Sequence, residues 1–148
     1  MSLSRIKRPK EVLIVEDNLG DVELAFEALG ESSMRNHLHA VEDGVEALAF
    51  LRREGRYRHA PRPDLILLDL NLPRKSGQEV LAEIKADEDL KRIPVVVLTT
   101  SEAQEDIIKA YNLHANCYVT KSVDFGLFIE AMKAIDHFWL KIAQLPPE

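Results

Sequence analysis

The sequence predicts an α/β fold, a single (βα)5 doubly wound parallel sheet, and three observations predict it. Short continuous apolar runs rich in β-formers stand at Val12–Val15, Leu65–Leu68 and Val95–Leu98, the pattern of strands buried on both faces by covering helices. Helical patterns with N-terminal start signals separate these runs. The length, 148 residues, fits one domain and leaves little room for a second. Strands alternating with helices imply a parallel sheet joined by right-handed crossovers.

Taken in order, residues 1–9 form a flexible tail, basic through Arg5, Lys7 and Arg8, with Lys10 continuing the cluster. The first strand is Val12–Val15, and Asn18 precedes the first helix. A weaker strand, Leu38–Val41, comes next, and Asp43 and Glu46 frame the second helix as a capping box. The irregular stretch 54–64, with Gly55, Pro61 and Pro63, reads as an extended loop inside the domain. Leu65–Leu68 leads to a helix framed by Ser76 and Glu79, and Val95–Leu98 to one framed by Ser101 and Gln104. The fifth strand is Cys117–Thr120, and Asp124 caps a long C-terminal helix over 124–145. At 1.5 Å per residue that helix would be about 30 Å long. Phe128, Met132, Ile135, Trp139 and Ile142 form its docking stripe. Ile129, Phe138 and Leu145 lie off it, so the last turns overhang the domain and offer an apolar partner surface. A twofold homodimer through this helix is the commonest way to cover such a surface. The alternative is that Phe138 and Trp139 pack against the first helix.

Composition narrows the function classes. Apolar residues are 46% and charged residues 30% of the chain, an ordinary globular balance. No apolar run is long enough to cross a bilayer, and Glu16 and Asp17 interrupt the only N-terminal run that could resemble a signal peptide. A cytoplasmic location is the expectation. The net charge of −6 argues against DNA as a partner. A second basic cluster, Arg52, Arg53, Arg56, Arg58 and Arg62, reads as a solvated loop. The single cysteine, Cys117, is a small buried filler. His37, His39, His59, His114 and His137 show no metal-ligand spacing; His37 and His39 share one side of a strand, with no third ligand in view.

In open parallel sheets the ligand site lies at the carboxyl ends of the strands. Those ends carry Glu16 and Asp17, then Asp69, Thr99 and Lys121. Three carboxylates on neighbouring strands would repel and raise one another's pKa. A hard dication removes the conflict: Mg²⁺, with Mn²⁺ as a substitute, takes oxygen ligands and is completed by a phosphate oxygen. The plainer reading, a helix cap at Asp17 and a turn at Asp69, explains each acid singly but not the three together. Asp69 is the acid best placed to act as a nucleophile and form an acyl phosphate. Lys121 would supply positive charge and Thr99 a hydroxyl donor to the phosphoryl oxygens.

The segments VLIVEDN, LILLDLNLP, IPVVVLTTS and CYVTK, in this order, resemble the receiver domains of bacterial two-component response regulators. The spacing agrees, with 30 residues from Asp69 to Thr99 and 22 from Thr99 to Lys121. The resemblance covers nearly the whole chain. It implies a flavodoxin-like receiver fold with strand order 2-1-3-4-5, and it implies roles by position. Asp69 is the phosphoacceptor; Glu16, Asp17, Asp69 and the backbone carbonyl of Asn71 hold the metal; Lys121 pairs with the phosphoryl group. Thr99 is the switch hydroxyl, and Tyr118 the switch aromatic that turns inward when Thr99 moves. The segments DGVEALAFLRREGRY and APRPDLILLDLNLPRKSGQEVLAEIK and the ending HFWLKIAQLPPE look like the small single-domain response regulators associated with bacterial phytochromes. That implies a sensor histidine kinase of the phytochrome type as phosphodonor. It also implies a phosphoacceptor signalling protein rather than an enzyme acting on other molecules, with the phosphorylated surface or dimer state as output. With no further domain expected after the fifth helix, no DNA-binding effector is foreseen. One departure stands out: the family carries proline after the active-site lysine, and here it is Ser122. A non-proline cis bond costs about 2.5–4 kcal/mol, so a trans Lys121–Ser122 bond, or a strained cis one, is expected.

Other readings make different demands. A dehalogenase-type phosphatase wants an acid two residues after the nucleophile, where Asn71 stands. A flavodoxin-like cofactor binder needs a Ser/Thr/Gly-rich phosphate cradle after the first strand, where Glu16 and Asp17 would repel phosphate. A pseudo-receiver would not need every reactive residue, and all of them are present.

Overall fold

The structure, a computed structural model, describes residues 9–32 and 36–147. Apart from Pro9, the expected N-terminal tail and its basic cluster up to Arg8 lie outside the described residues. The element order is β1 (Lys10–Val15), α1 (Leu19–Ser32), β2 (Asn36–Val41), α2 (Gly44–Arg52), a 3₁₀ turn (Gly55–Tyr57), β3 (Leu65–Leu68), α3 (Gly77–Ala86), β4 (Val95–Thr99), α4 (Gln104–Asn112), β5 (Cys117–Thr120) and α5 (Phe125–Ile135), followed by a π-helical segment (Asp136–Ile142). The five strands form one parallel sheet in the order β2-β1-β3-β4-β5, so the fold class and strand order are as the sequence predicts.

The all-apolar runs become the middle of the sheet because only there are both faces covered. Every residue of β3 and β4 is buried, whereas the edge strands β2 and β5 are only partly so. Alternate side chains serve opposite faces. Leu13, Val15, Ile66, Leu68, Val95 and Val97 pack with α2, α3 and Ala110 of α4. Val12, Ile14, Leu65, Leu67, Val96 and Leu98 pack with Ala25, Ala28 and Leu29 of α1 and Phe128, Met132 and Ile135 of α5. No helix among the described residues is long and apolar enough to cross a membrane.

The helix starts follow local hydrogen-bond chemistry, with two departures from expectation. Ser76 and Glu79 form a complete capping box on α3, Asp124 accepts from the Leu127 N–H at α5, and Asn18 Oδ1 accepts from the Asp21 N–H at 3.0 Å. Asp43 caps α2 through the Glu46 N–H at 2.8 Å, but the Glu46 carboxylate is turned to Arg56, Tyr57 and Arg74 instead of completing a box. Ser101 does not cap α4: the cap position is Ala103, without a side-chain bond. Ser101 Oγ donates to the Asp106 carboxylate at 2.6 Å, and this bond, with its acceptance from the Ala103 N–H, occupies the hydroxyl before the helix begins.

The C-terminal helix also departs from expectation. It is α-helical only to Ile135 and continues as a wider π-helical segment through Ile142, marked by a bond from the Ala143 N–H to the Phe138 carbonyl at 2.8 Å. The wider turn shifts the inward face. Asp136, 1% exposed, and Leu140 are buried, while Ile142, on the expected stripe, is 57% exposed. Asp136 is anchored there: its Oδ1 accepts from Asn36 Nδ2 at 2.8 Å at the start of β2, and its Oδ2, without a hydrogen bond among the described residues, has an ion-pair contact with Lys141 Nζ at 3.2 Å. Trp139 packs against the α1–α5 cluster and meets Phe138 edge-on, centroids 5.4 Å apart, while Phe138 is 52% exposed. Trp139 thus packs on the cluster that the sheet, α1 and α5 share, while Phe138 is left half exposed.

Leu67 lies at the centre of the sheet and is fully enclosed. Leu67→Ala is expected to lower unfolding free energy by about 2–5 kcal/mol, read as a lower urea midpoint with an unchanged slope.

Candidate functional site

The parallel ladder itself assembles the site. It continues one step past the strands: Glu16 N–H donates to the Val41 carbonyl and Asp69 N–H to the Val15 carbonyl, both at 3.0 Å. Since Val15 pairs with Leu68, Glu16 and Asp69 are forced side by side. On the other flank Thr99 pairs with Thr120, and Lys121 N–H donates to the Thr99 carbonyl at 2.7 Å. The expected residues therefore meet across neighbouring strand ends.

Glu16, Asp17 and Asp69 each offer a carboxylate oxygen within 4.8 Å of the others. Glu16 and Asp69 are buried, and Asp17 faces solvent. Lys121, also buried, spans the cluster, with Nζ 2.7 Å from Glu16 Oε1, 2.8 Å from Asp21 Oδ2 and 3.6 Å from Asp69 Oδ2. Burial pushes the Glu16 carboxyl up to about 7; Asp69 adds to the rise and Lys121 opposes it. Burial alone would lower the Lys121 ammonium, but the bonds to Asp21 and Glu16 and the charge of Asp69 outweigh it, so its pKa lies above the ordinary lysine value. Asp21 is the residue that sequence reading missed. An acid in the first turn of a helix already has a local explanation in the helix dipole, and nothing in its spacing reveals the reach to Lys121.

Thr99 is wholly enclosed, and its Oγ1 has no hydrogen-bond partner among the described residues. Tyr118 is half-buried; its hydroxyl donates to the Ser101 carbonyl at 2.9 Å, and its N–H donates to Tyr111 Oη at 3.2 Å. Asn71 N–H lies 3.3 Å from Asp69 Oδ1, wrapping the chain after β3 around the carboxylate. All described peptide bonds are trans, Lys121–Ser122 included, which is the first of the two expected outcomes.

Two glycines and a strained arginine shape the loop from Asp69 to Ser76. A Cβ on Gly77 would fall 2.2 Å from the Asp69 carbonyl oxygen, and one on Gly44 2.3 Å from that of Lys75. Only glycine lets α2 and α3 start this close to the loop. Arg74 sits at φ 66°, with the Lys75 N–H bonded to the Pro73 carbonyl at 2.7 Å. Left-handed backbone at a non-glycine residue costs roughly 1–3 kcal/mol. Its guanidinium bonds Asp43 at 2.9 and 3.2 Å and reaches Glu46 at 3.4 Å. The second basic cluster is solvated as expected, with Arg52, Arg53, Arg56 and Arg58 exposed and Arg62 half-buried, and its side chains still find surface partners. Arg52 bonds Glu83, Arg53 the Ala60 carbonyl, Arg56 Glu46, and Arg62 the Asp89 carbonyl.

His37 and His39 do have a third potential ligand beside them, although they form no metal group among the described residues. Glu11 stands between His37 and His39, 3.0 Å from His37 Nδ1 and 2.8 Å from His39 Nε2, because β1 and β2 pair Glu11 with His37. Even so, only Glu16, Asp17 and Asp69 converge with metal-ligand geometry among the described residues. Three carboxylates and no sulfur or imidazole make a donor set that fits a hard dication of the Mg²⁺ or Mn²⁺ kind.

Residues 12–133 match the response regulator receiver domain family. The response regulator Rcp1 of Synechocystis sp. is 51% identical over 138 residues, covering 93% of this chain and 94% of that protein. The crystal structure of the phosphorylated cyanobacterial phytochrome response regulator RcpA matches with a TM-score of 0.91 at 54% identity, covering 94% of this chain and 99% of that one. The Mn²⁺-bound form of Rcp1 matches with a TM-score of 0.91 at 51% identity, covering 94% and 100%.

A buried hydroxyl without a partner costs stability. Thr99→Val, which removes it at nearly constant shape, is therefore expected to keep or raise the urea midpoint, in contrast to an ordinary buried Thr→Val change.

Proposed function

This chain belongs to the response regulator receiver domain family, and on that premise we propose that it accepts a phosphoryl group from a sensor histidine kinase onto Asp69. The observation that carries the reading is the carboxylate of Asp69 standing within 4.8 Å of the oxygens of Glu16 and Asp17 and 3.6 Å from Lys121 Nζ. An Asp69 oxygen attacks phosphorus, the P–N bond of the donor phosphohistidine breaks, and the imidazole leaves with the bonding pair. The result is an acyl phosphate.

Glu16, Asp17, Asp69 and the backbone carbonyl of Asn71 would hold Mg²⁺, or Mn²⁺ as Rcp1 does in its Mn²⁺-bound form. Bound there, the ion offsets the negative charge of the phosphoryl oxygens. Lys121 meets one of those oxygens through its ammonium, exchanging part of its contact with Glu16 and Asp21 for it. Thr99 Oγ1 donates its unused proton to another, and the movement lets Tyr118 turn inward from its bond to Ser101. The protein would catalyse its own phosphoryl transfer and its own dephosphorylation, and act on no other substrate.

Residues 1–148 are read as one receiver domain acting in the cytoplasm, with no DNA among its partners. The kinase is of the phytochrome type, by analogy with RcpA, whose structure is that of a phytochrome response regulator. Output passes through a phosphorylation-dependent surface or dimer state. The exposed Phe138 and Ile142 of the π-helical segment support a homodimer contact there.

Two measurements test this. Incubation with acetyl phosphate and Mg²⁺, followed by intact mass, should show gain of one phosphoryl group, absent in Asp69→Asn and in chelator. Mass gain in Asp69→Asn would refute the assignment. Sedimentation at micromolar concentration, with and without beryllofluoride, should show a dimer that Phe138→Glu weakens; monomer throughout refutes the dimer.

A further inference from the structure

The loop from Asp69 to Ser76 carries the phosphoacceptor and, two residues on, Asn71. Its apex, Arg74, sits in the left-handed region at φ 66°, where a residue with a Cβ relaxes unless something holds it. What holds it is outside the loop. We propose that Arg74 is a positioning residue whose guanidinium, gripped by Asp43 and Glu46 of α2, sets the spacing between the Asp69 carboxylate and the Asn71 main chain that a shared dication needs. The inference rests on the functional reading above and adds a residue to it.

The grip is made to be rigid. Both oxygens of Asp43 take part, at 2.9 Å from Nε and 3.2 Å from Nη2, the planar fork that an arginine forms and a lysine cannot. Asp43 is not mobile, since the same carboxylate caps α2 through the Glu46 N–H and its side chain is only 13% exposed. Glu46 in turn is held at 2.6 Å by Arg56 and at 2.6 Å by the Tyr57 hydroxyl. Tyr57 packs on Phe50, centroids 5.4 Å apart, and Phe50 is core. The long loop after α2 thereby buttresses the loop that bears Asp69. At the other end Lys75 pairs with Glu83 of α3, so Arg74 is the tie to α2 and Lys75 the tie to α3.

Arg74 itself is 54% exposed, and exposed ion pairs add little to stability. The role assigned to it is geometric, and the signature is metal affinity lost without stability lost. Arg74→Gly separates the two, because glycine tolerates the backbone angle and removes only the grip. In the full-length protein, Mn²⁺ affinity measured by electron paramagnetic resonance should fall about tenfold in Arg74→Gly and Arg74→Ala, the usual scale for losing a partner that orients a metal ligand. The rate of phosphorylation by acetyl phosphate should fall with it, while the thermal midpoint of Arg74→Gly stays at or above that of Arg74→Ala. Wild-type Mn²⁺ affinity in Arg74→Gly overturns the proposal, since the angle alone would then suffice. Failure of the wild-type protein to bind Mn²⁺ overturns the functional reading and this one with it.

Discussion

Two carboxylates that the sheet forces together, and the one ammonium that reconciles them, set the character of this molecule. The ladder between β1 and β3 leaves Glu16 and Asp69 no freedom to separate. In a buried setting their repulsion would favour protonation of one of them. Lys121, from the far side of β4, answers with a contact to each and a third to Asp21. Taking one member from a buried charge set typically costs about 3–5 kcal/mol, so the arrangement is tense as well as stable. It has one positive charge for four acids, Glu16, Asp17, Asp21 and Asp69, a deficit of the kind that a bound dication would offset.

The same ladder explains why so much was legible from sequence. The runs LILL and VVVL are apolar at every position, and only a strand covered on both sides uses such a run. Their ends therefore could be read off, and with them Asp69 and Thr99. Glu16, Asp17 and Lys121 followed because a parallel sheet brings all its carboxyl ends to one edge. The helix starts at Ser76 and Asp124 depend on neighbours three residues away and were equally plain.

What escaped depends on partners far along the chain. Asp21 meets Lys121 across 100 residues, and Asn36 meets Asp136 across 100; no local pattern announces either. Glu11 lies between two histidines only because of the register of β1 against β2. Ser101 looked like a cap by position but is claimed by Asp106. Arg74 belonged to no motif, and its positive φ and its hold on Asp43 appear only once α2 is laid beside the loop. Local rules read elements and strand ends; cross-chain polar contacts need the folded arrangement.

The widened turn after Ile135 has a bearing on how such a surface can diversify. A π-helical segment amounts to an α-helix carrying one surplus residue. Losing that residue would let the coil tighten and swing everything beyond it by about 100°, bringing a different set of side chains outward. Strand ends on the opposite side of Asp136 would feel none of it. A lineage could in this way change the face it turns outward by a single codon's indel while the strand end that carries Asp69 keeps its place in the sheet.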